Sequence, residues 1–260
     1  MDGFDPEQYC RLYCTFDEGC DPEETDRLRE NLRVLDGYYE RIGSDLAPAS
    51  SRLLEYGGGP TVWPLISAAR HVNSITFVDY LDANLEFVKK WQKNVESAFD
   101  CSSVFRYVVN TIEKNPSADE VDRRQERVRS SIRDIISGDL RLDAPADPRV
   151  AAPHSYDVVS CHYTVGHACH VTSDYIPFVK KLGNYLKPGK FLLLSDMPTK
   201  YDFPWGNDSG DGKDVNVKDK EFIIDAVRRA GFEVLDVQVV TRPTPDEMPA
   251  EQVMVLARKQ

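Results

Sequence analysis

No stretch of the 260 residues approaches the roughly 20 consecutive apolar positions that a membrane-crossing helix needs. The opening residues, Met1-Asp2-Gly3-Phe4-Asp5, lack the basic and apolar segments of a secretory signal, so a cytoplasmic protein is expected. Cationic blocks are missing too. Thirty-two Lys and Arg are scattered among 43 Asp and Glu, for a net charge of −11. A surface of that sign repels phosphate backbones and anionic lipid, and neither nucleic acid nor membrane is an expected partner. Cysteine is too sparse for a disulfide framework: six residues (Cys10, Cys14, Cys20, Cys101, Cys161, Cys169) in a chain this long, without an export signal, read as reduced thiols. No repeat or low-complexity tract interrupts the chain.

What is present is an alternation. After a polar, aromatic first 20 residues without a helical period, Leu28, Leu32, Leu35, Tyr39 and Ile42 recur at spacings of four and three, the stripe of a packing helix over 22–43. Short apolar runs at 52–56, 74–78, 104–109, 156–160 and 191–196 predict strands, separated by helical stretches at 62–69, 81–91 and 173–186. Residues 115–137 are charged with a narrow apolar edge and predict an inserted surface helix, and Lys187-Pro188-Gly189 predicts a turn. Such alternation makes parallel βαβ units. The end differs: after a helix over 219–230, strands 232–240 and 253–258 are joined by a Pro-rich loop too short for a crossover and should pair antiparallel. The expected fold is α/β with a mostly parallel seven-stranded sheet, in one domain over 1–260.

In such sheets ligands settle at the carboxyl ends of the strands. The first strand runs into Gly57-Gly58-Gly59-Pro60-Thr61, and Asp79 closes the next one. Glycines there let backbone approach a ligand, and the carboxylate accepts from ribose hydroxyls. A dinucleotide fingerprint would need glycine where Val62 stands, and no Lys-Ser or Lys-Thr pair serves a phosphate loop. A nucleoside without phosphate fits better, and S-adenosylmethionine is one, with Asp139 and Leu140 placed for its adenine.

Six motifs carry a resemblance: Phe4-Asp5-Pro6-Glu7-Gln8-Tyr9 with Tyr13; Gly57-Gly58-Gly59-Pro60-Thr61; Asp79-Tyr80-Leu81-Asp82-Ala83-Asn84-Leu85; Trp91 with Ala98-Phe99-Asp100; Leu186-Lys187-Pro188-Gly189; and Leu256-Ala257-Arg258-Lys259. Over nearly its whole length the chain resembles the nicotinamide, phenylethanolamine and indolethylamine N-methyltransferases. The resemblance implies a Rossmann-like class I methyltransferase with an N-terminal helical lid in residues 1–45 and the core in 46–260. It implies that Tyr9 and Tyr13 close over S-adenosylmethionine, whose demethylated product is S-adenosylhomocysteine. Gly57, Gly58, Thr61 and Trp63 would line its methionine and ribose portions, Asp79 and Asn84 its ribose, Asp139 and Leu140 its adenine, with Cys161 among the cofactor contacts. Asp196 matches the acidic residue that contacts the acceptor, a small amine or aromatic N-heterocycle. A monomer is expected.

Two positions depart from the family pattern. Cys14 stands where a second tyrosine is expected, and Val165 where the loop after the fourth strand carries an acid. That loop, 160–170, instead holds His162, His167 and His170 with Cys161 and Cys169. Its histidines read as acid/base or substrate-binding groups, with His162 and His167 the catalytic candidates beside Asp196. A metal site on His162, His167, Cys169 and His170 matches no usual zinc spacing, and no metal is expected. A polar loop capping the next helix is the third reading. Methylation of oxygen or sulfur by the same machinery, and a catalytically silent S-adenosylmethionine-binding protein, stand as alternatives to N-methylation.

Overall fold

The computed structural model describes residues 4–17, 20, 22–169, 171–197, 219–242 and 250–260. The chain divides into two compact units, Asp5–Gly138 and Asp139–Gln260, the latter joined by Phe4.

The first unit opens on a helix the periodicity did not reveal, α1 (Pro6–Tyr13). Its signal is a cap: the Asp5 carboxylate accepts from the N–H groups of Glu7 and Gln8, and Pro6 takes the first helical position, where a missing N–H does no harm. The long helix α2 (Pro22–Ile42) buries the predicted stripe of Leu28, Leu32, Leu35, Tyr39 and Ile42. Strands β1 (Arg52–Tyr56) and β2 (Ser74–Asp79) pair in parallel on either side of the glycine turn, which leads into the single-turn helix α3 (Leu65–Ala68), shorter than expected. Helix α4 (Asp82–Gln92) follows as predicted, with Leu85, Val88 and Trp91 buried.

The third strand is not where the apolar run placed it. Residues 104–109 lie in helix α5 (Ser102–Arg106) and the π-helical turn after it, Tyr107–Ile112. Val104, Phe105, Val108 and Val109 are all buried, and offsets of one, four and five share one face of a helix, whereas a strand would split them between two faces. The expected surface helix over 115–137 is two elements, α6 (Ala118–Ser131) and then β3 (Ile132–Ser137), which pairs parallel to β2 and completes the local order β3-β2-β1. Nor is α6 a loose appendage. Arg124 is 5% exposed and makes a bidentate pair with Glu113 at 2.6 and 2.8 Å, while reaching the Ile66 carbonyl at 3.2 Å. Arg127 donates to the Ala69 carbonyl, so two guanidiniums satisfy carbonyls around the end of α3.

In the second unit β4 (Tyr156–His162), buried along its whole length, pairs in parallel with β5 (Leu186–Asp196). Between them lie the short α7 (Thr164–Ala168) and α8 (Tyr175–Tyr185). The turn predicted at Lys187-Pro188-Gly189 is a bulge inside β5: Tyr156 pairs with Leu186 and Val158 with Phe191, and Gly189 takes φ +73°. After α9 (Lys220–Arg229), the strands β6 (Phe232–Arg242) and β7 (Ala250–Lys259) pair antiparallel as expected, giving the local order β4-β5-β7-β6. The α/β class holds, with seven strands, mostly parallel, and an antiparallel C-terminal hairpin. No helix among the described residues is long and apolar enough to cross a membrane.

Candidate active site

The glycine turn is built by β1 and β2 together. Gly57 and Gly58 donate to the Val78 carbonyl at 2.7 and 3.2 Å, and Gly57 and Gly59 adopt φ +72° and +62°, where an L side chain is strained. Thr61 ties the turn from the far side by donating to the Gly58 carbonyl at 2.9 Å. Asp79, 6% exposed at the end of β2, faces this turn: Oδ2 accepts from the Gly59 N–H at 2.8 Å, and Oδ1 from Leu81 N–H at 2.9 Å and Asn84 Nδ2 at 2.8 Å. Burial raises the carboxyl above its ordinary value, and the donors from Leu81, Asn84 and Gly59 pull it back.

Asn84 is 5% exposed, and its Oδ1 is buried without a hydrogen-bond donor. An amide oxygen left dry costs about 1–3 kcal/mol. A hydroxyl-bearing ligand beside Asp79 removes that cost, so the cleft fits a ribose. Position 58 is glycine because the space a side chain would take is filled by the buried Phe77 ring.

Helix α1 lies on the same turn. The Cys10 thiol donates to the Pro60 carbonyl at 3.1 Å, and Cys10 and Cys14 line a small cavity with Thr61, Trp63 and Cys101. All six cysteines are free. The Cys14 thiol and burial push Cys10 up, and burial with Cys14 does the same to Cys101, so both stay protonated. Tyr9 and Tyr13 project from α1 with ring centroids 4.9 Å apart, both half-buried. The predicted Tyr9, Tyr13, Gly57, Gly58, Thr61, Trp63, Asp79 and Asn84 thus belong to one unit, with α1, the turn and the end of β2 tied to each other.

The remaining predicted residues are in the second unit. Asp139 is clasped by its own neighbour: Arg141 Nε lies 2.9 and 3.1 Å from the carboxylate oxygens and Nη2 2.8 Å from Oδ2, which holds the carboxyl below its ordinary value. Leu140 is buried, and its carbonyl accepts from Lys181 Nζ at 2.8 Å. Cys161 is buried within β4. Asp196 ends β5 at 3% exposure, its Oδ1 accepting from the Met197 N–H at 2.9 Å.

The histidine loop separates into unlike positions. His162 is buried and bridges two serines, with Nε2 2.7 Å from Ser160 Oγ and Nδ1 2.7 Å from Ser195 Oγ. Burial pushes its pKa down to about 3, so the ring is neutral and both nitrogens are engaged in bracing β4 against β5. That geometry gives His162 a structural role in place of the acid/base one expected. His167 lies on the exposed side of α7, and Val165 is core. Among the described residues no cluster of His, Cys, Asp or Glu has metal-binding geometry. His170 and Trp205 fall outside the described residues. Sequence reading missed Ser195, since it meets His162 through the register of β4 and β5.

Nicotinamide N-methyltransferase of Homo sapiens is 26% identical over 244 residues, covering 92% of this chain and 86% of the relative. Indolethylamine N-methyltransferase of Oryctolagus cuniculus is 26% identical over 192 residues, covering 74% and 69%. Among solved structures, magnesium protoporphyrin IX methyltransferase from Synechocystis PCC 6803 with bound SAH superposes with a TM-score of 0.56 at 13% identity, covering 98% of this chain and 94% of that one. The fold is therefore the Rossmann-like one of S-adenosylmethionine-dependent methyltransferases. With the NNMT/PNMT/TEMT family model matching residues 1–260 in full, the chain belongs to that family.

Proposed function

We infer that this chain transfers a methyl group from S-adenosylmethionine to the nitrogen of a small amine or aromatic N-heterocycle. The observation that carries the reading is the pair at the end of β2: a buried carboxylate, Asp79, beside a buried amide oxygen, Asn84 Oδ1, that the protein leaves without a donor. Two ribose hydroxyls supply what that pair needs. Membership of the NNMT/PNMT/TEMT family supports the nitrogen acceptor, as do relatives named for nicotinamide and indolethylamine.

When bound, S-adenosylmethionine supplies a sulfonium-activated methyl group, which an unprotonated nitrogen takes by in-line displacement. The protein has no need of a covalent nucleophile. Its task is to hold donor and acceptor in line and dry, an arrangement that accounts for roughly 7–11 kcal/mol of such barriers. In this reading Gly57, Gly58, Thr61 and Trp63 line the methionine and ribose portions, Tyr9 and Tyr13 on α1 exclude water above them, Asp139 and Leu140 serve the adenine, and Cys161 is a further cofactor contact. Asp196 orients the acceptor, and His167, exposed on α7, has access to solvent for a proton. A pyridine nitrogen offers its lone pair directly, whereas an alkylamine, with a pKa of about 10, must first lose a proton.

Two measurements test this. Calorimetry with S-adenosylhomocysteine should show Asp79→Ala binding at least about 100-fold more weakly than the unmodified chain, and an equal affinity would remove the ribose assignment. A screen with methyl-labelled cofactor should give turnover on amines or N-heterocycles. Turnover on phenols or thiols alone would overturn the nitrogen acceptor, and binding without turnover the enzymatic reading itself.

A further inference from the structure

The loop that opens at Asp139 is tied to α8 by a lysine. Lys181 Nζ donates to the Leu140 carbonyl at 2.8 Å and to the Leu142 carbonyl at 2.7 Å, and it lies 5.4 Å from the centroid of the Phe178 ring one turn back. Helix α8 is a firm base for this contact, since Val179 and Leu182 are fully buried. An ammonium that bonds two carbonyls two residues apart fixes the peptide planes that follow Leu140 and Leu142. Within the loop, the Leu142 N–H donates to the Asp139 carbonyl at 3.1 Å, and the Asp139 N–H to the Pro145 carbonyl at 2.8 Å. The Asp139 carboxylate also accepts from the Arg141 backbone N–H at 2.9 Å, besides the guanidinium. That carboxylate therefore moves with its loop, and Lys181 sets where the loop stands.

The sequence pattern marks a helix over 173–186 and gives Lys181 no role in it. We propose that Lys181 is a positioning residue for the cofactor: by holding the Leu140 and Leu142 carbonyls from α8, it presets the loop in which Asp139 and Leu140 receive the adenine. A loop ordered in advance loses less freedom when the base arrives, so the lysine acts on nucleoside affinity and on the choice of base. It works through the two carbonyls and needs no contact with the nucleoside itself. This rests on the reading of Asp139 and Leu140 as the adenine contacts, and the experiment separates the two.

Lys181→Met, which keeps an apolar stem and removes the donors, Lys181→Arg, which keeps donors, and Asp139→Asn are compared with the unmodified chain. Calorimetry reads the affinity for S-adenosylhomocysteine and for its inosine counterpart, in which a carbonyl oxygen replaces the exocyclic amine, and thermal melts are run beside it. The unmodified chain should prefer the adenosine form by at least about tenfold. Lys181→Met should bind S-adenosylhomocysteine about tenfold more weakly and lose most of that preference, whereas Lys181→Arg should stay within about threefold of the parent in both. A lysine that serves stability alone would lower the melting temperature and leave affinity and preference intact. That result in Lys181→Met, with the preference lost in Asp139→Asn, would overturn the positioning role alone. No preference in the unmodified chain, or an unchanged one in Asp139→Asn, would overturn the adenine reading and this inference with it. Should Lys181→Met fail to fold, Lys181→Gln keeps an amide donor on a shorter stem: a reduced preference for the adenosine form supports the inference, and an unchanged one overturns it.

Discussion

Gly58 has no room for even a methyl group. A Cβ there would stand 2.3 Å from two ring carbons of Phe77 and 3.2 Å from Glu55 Cγ, and both neighbours are fully buried, so neither ring nor stem has anywhere to go. Gly58→Ala must shift the turn or the ring, and overpacking of this kind costs about 1–3 kcal/mol. A thermal melt should report that loss and calorimetry a weaker S-adenosylhomocysteine complex, whereas a variant as stable and as tight as its parent would show that the turn yields freely. Residues whose partners are near in sequence were legible beforehand: Gly57, Gly58, Asp79 and Asn84 belong to one strand-turn-helix pattern and the strand beside it. His162 was not, since its chemistry is set by Ser195, 33 residues away, and by a burial that no local pattern announces.

Among the elements, α6 is the one whose part in the molecule changed most between sequence and structure. Its charge density reads as a solvated surface, yet Arg124 and the Glu113 side chain are 5% and 7% exposed, and Arg70 approaches the same carboxylate at 3.1 Å. The contact ties α6 to the carbonyls at the end of α3, the helix that leaves the glycine turn. Arg124→Met should cost about 1–3 kcal/mol, because the Ile66 carbonyl loses its side-chain donor and Glu113 keeps only Arg70. Chemical denaturation measures this, and pairing the change with Glu113→Gln should recover part of the loss; a single variant at parental stability would mean the guanidinium contributes nothing there. Strands β1, β2, β4, β6 and β7 were readable because their apolar runs are short and bounded by turn residues. The third strand was misplaced because β-branched residues at 104–109 look like a strand when composition is weighed above spacing, while β3 hides behind the charged helix that runs into it. The cap that starts α1 was present in Asp5-Pro6-Glu7, but a helix of eight residues has too few turns to display a period.

For the molecule as a whole, two imidazoles couple stability to acidity. Burial holds His162 at about 3 and His71 at about 4, both below the ordinary histidine value, so between those values and about 6.5 the unfolded chain binds more protons than the folded one. Their contribution is complete above about pH 6.5 and is lost as the pH falls toward 4 and then 3. Asp36 and Asp79, raised by burial, act in the opposite sense. A series of melts from pH 7 to 4.5 should show falling stability, and His162→Gln, able to donate to one serine and accept from the other, should flatten it by about 1.4 kcal/mol per pH unit, the share of one proton. An unchanged slope in that variant would mean that the imidazole titrates normally. The fold class was legible at this scale because alternation is a property of the entire chain, and misplacing one strand left the expected number and the antiparallel ending intact.

Asp79 carries one more consequence. Its two oxygens accept from Gly59 in the turn and from Leu81 and Asn84 beyond β2, and Gly59 is drawn toward β2 by the first of these. Removing that carboxylate therefore frees the Gly59, Leu81 and Asn84 donors together, so the shape of the glycine turn and the hold on the sugar depend on one side chain.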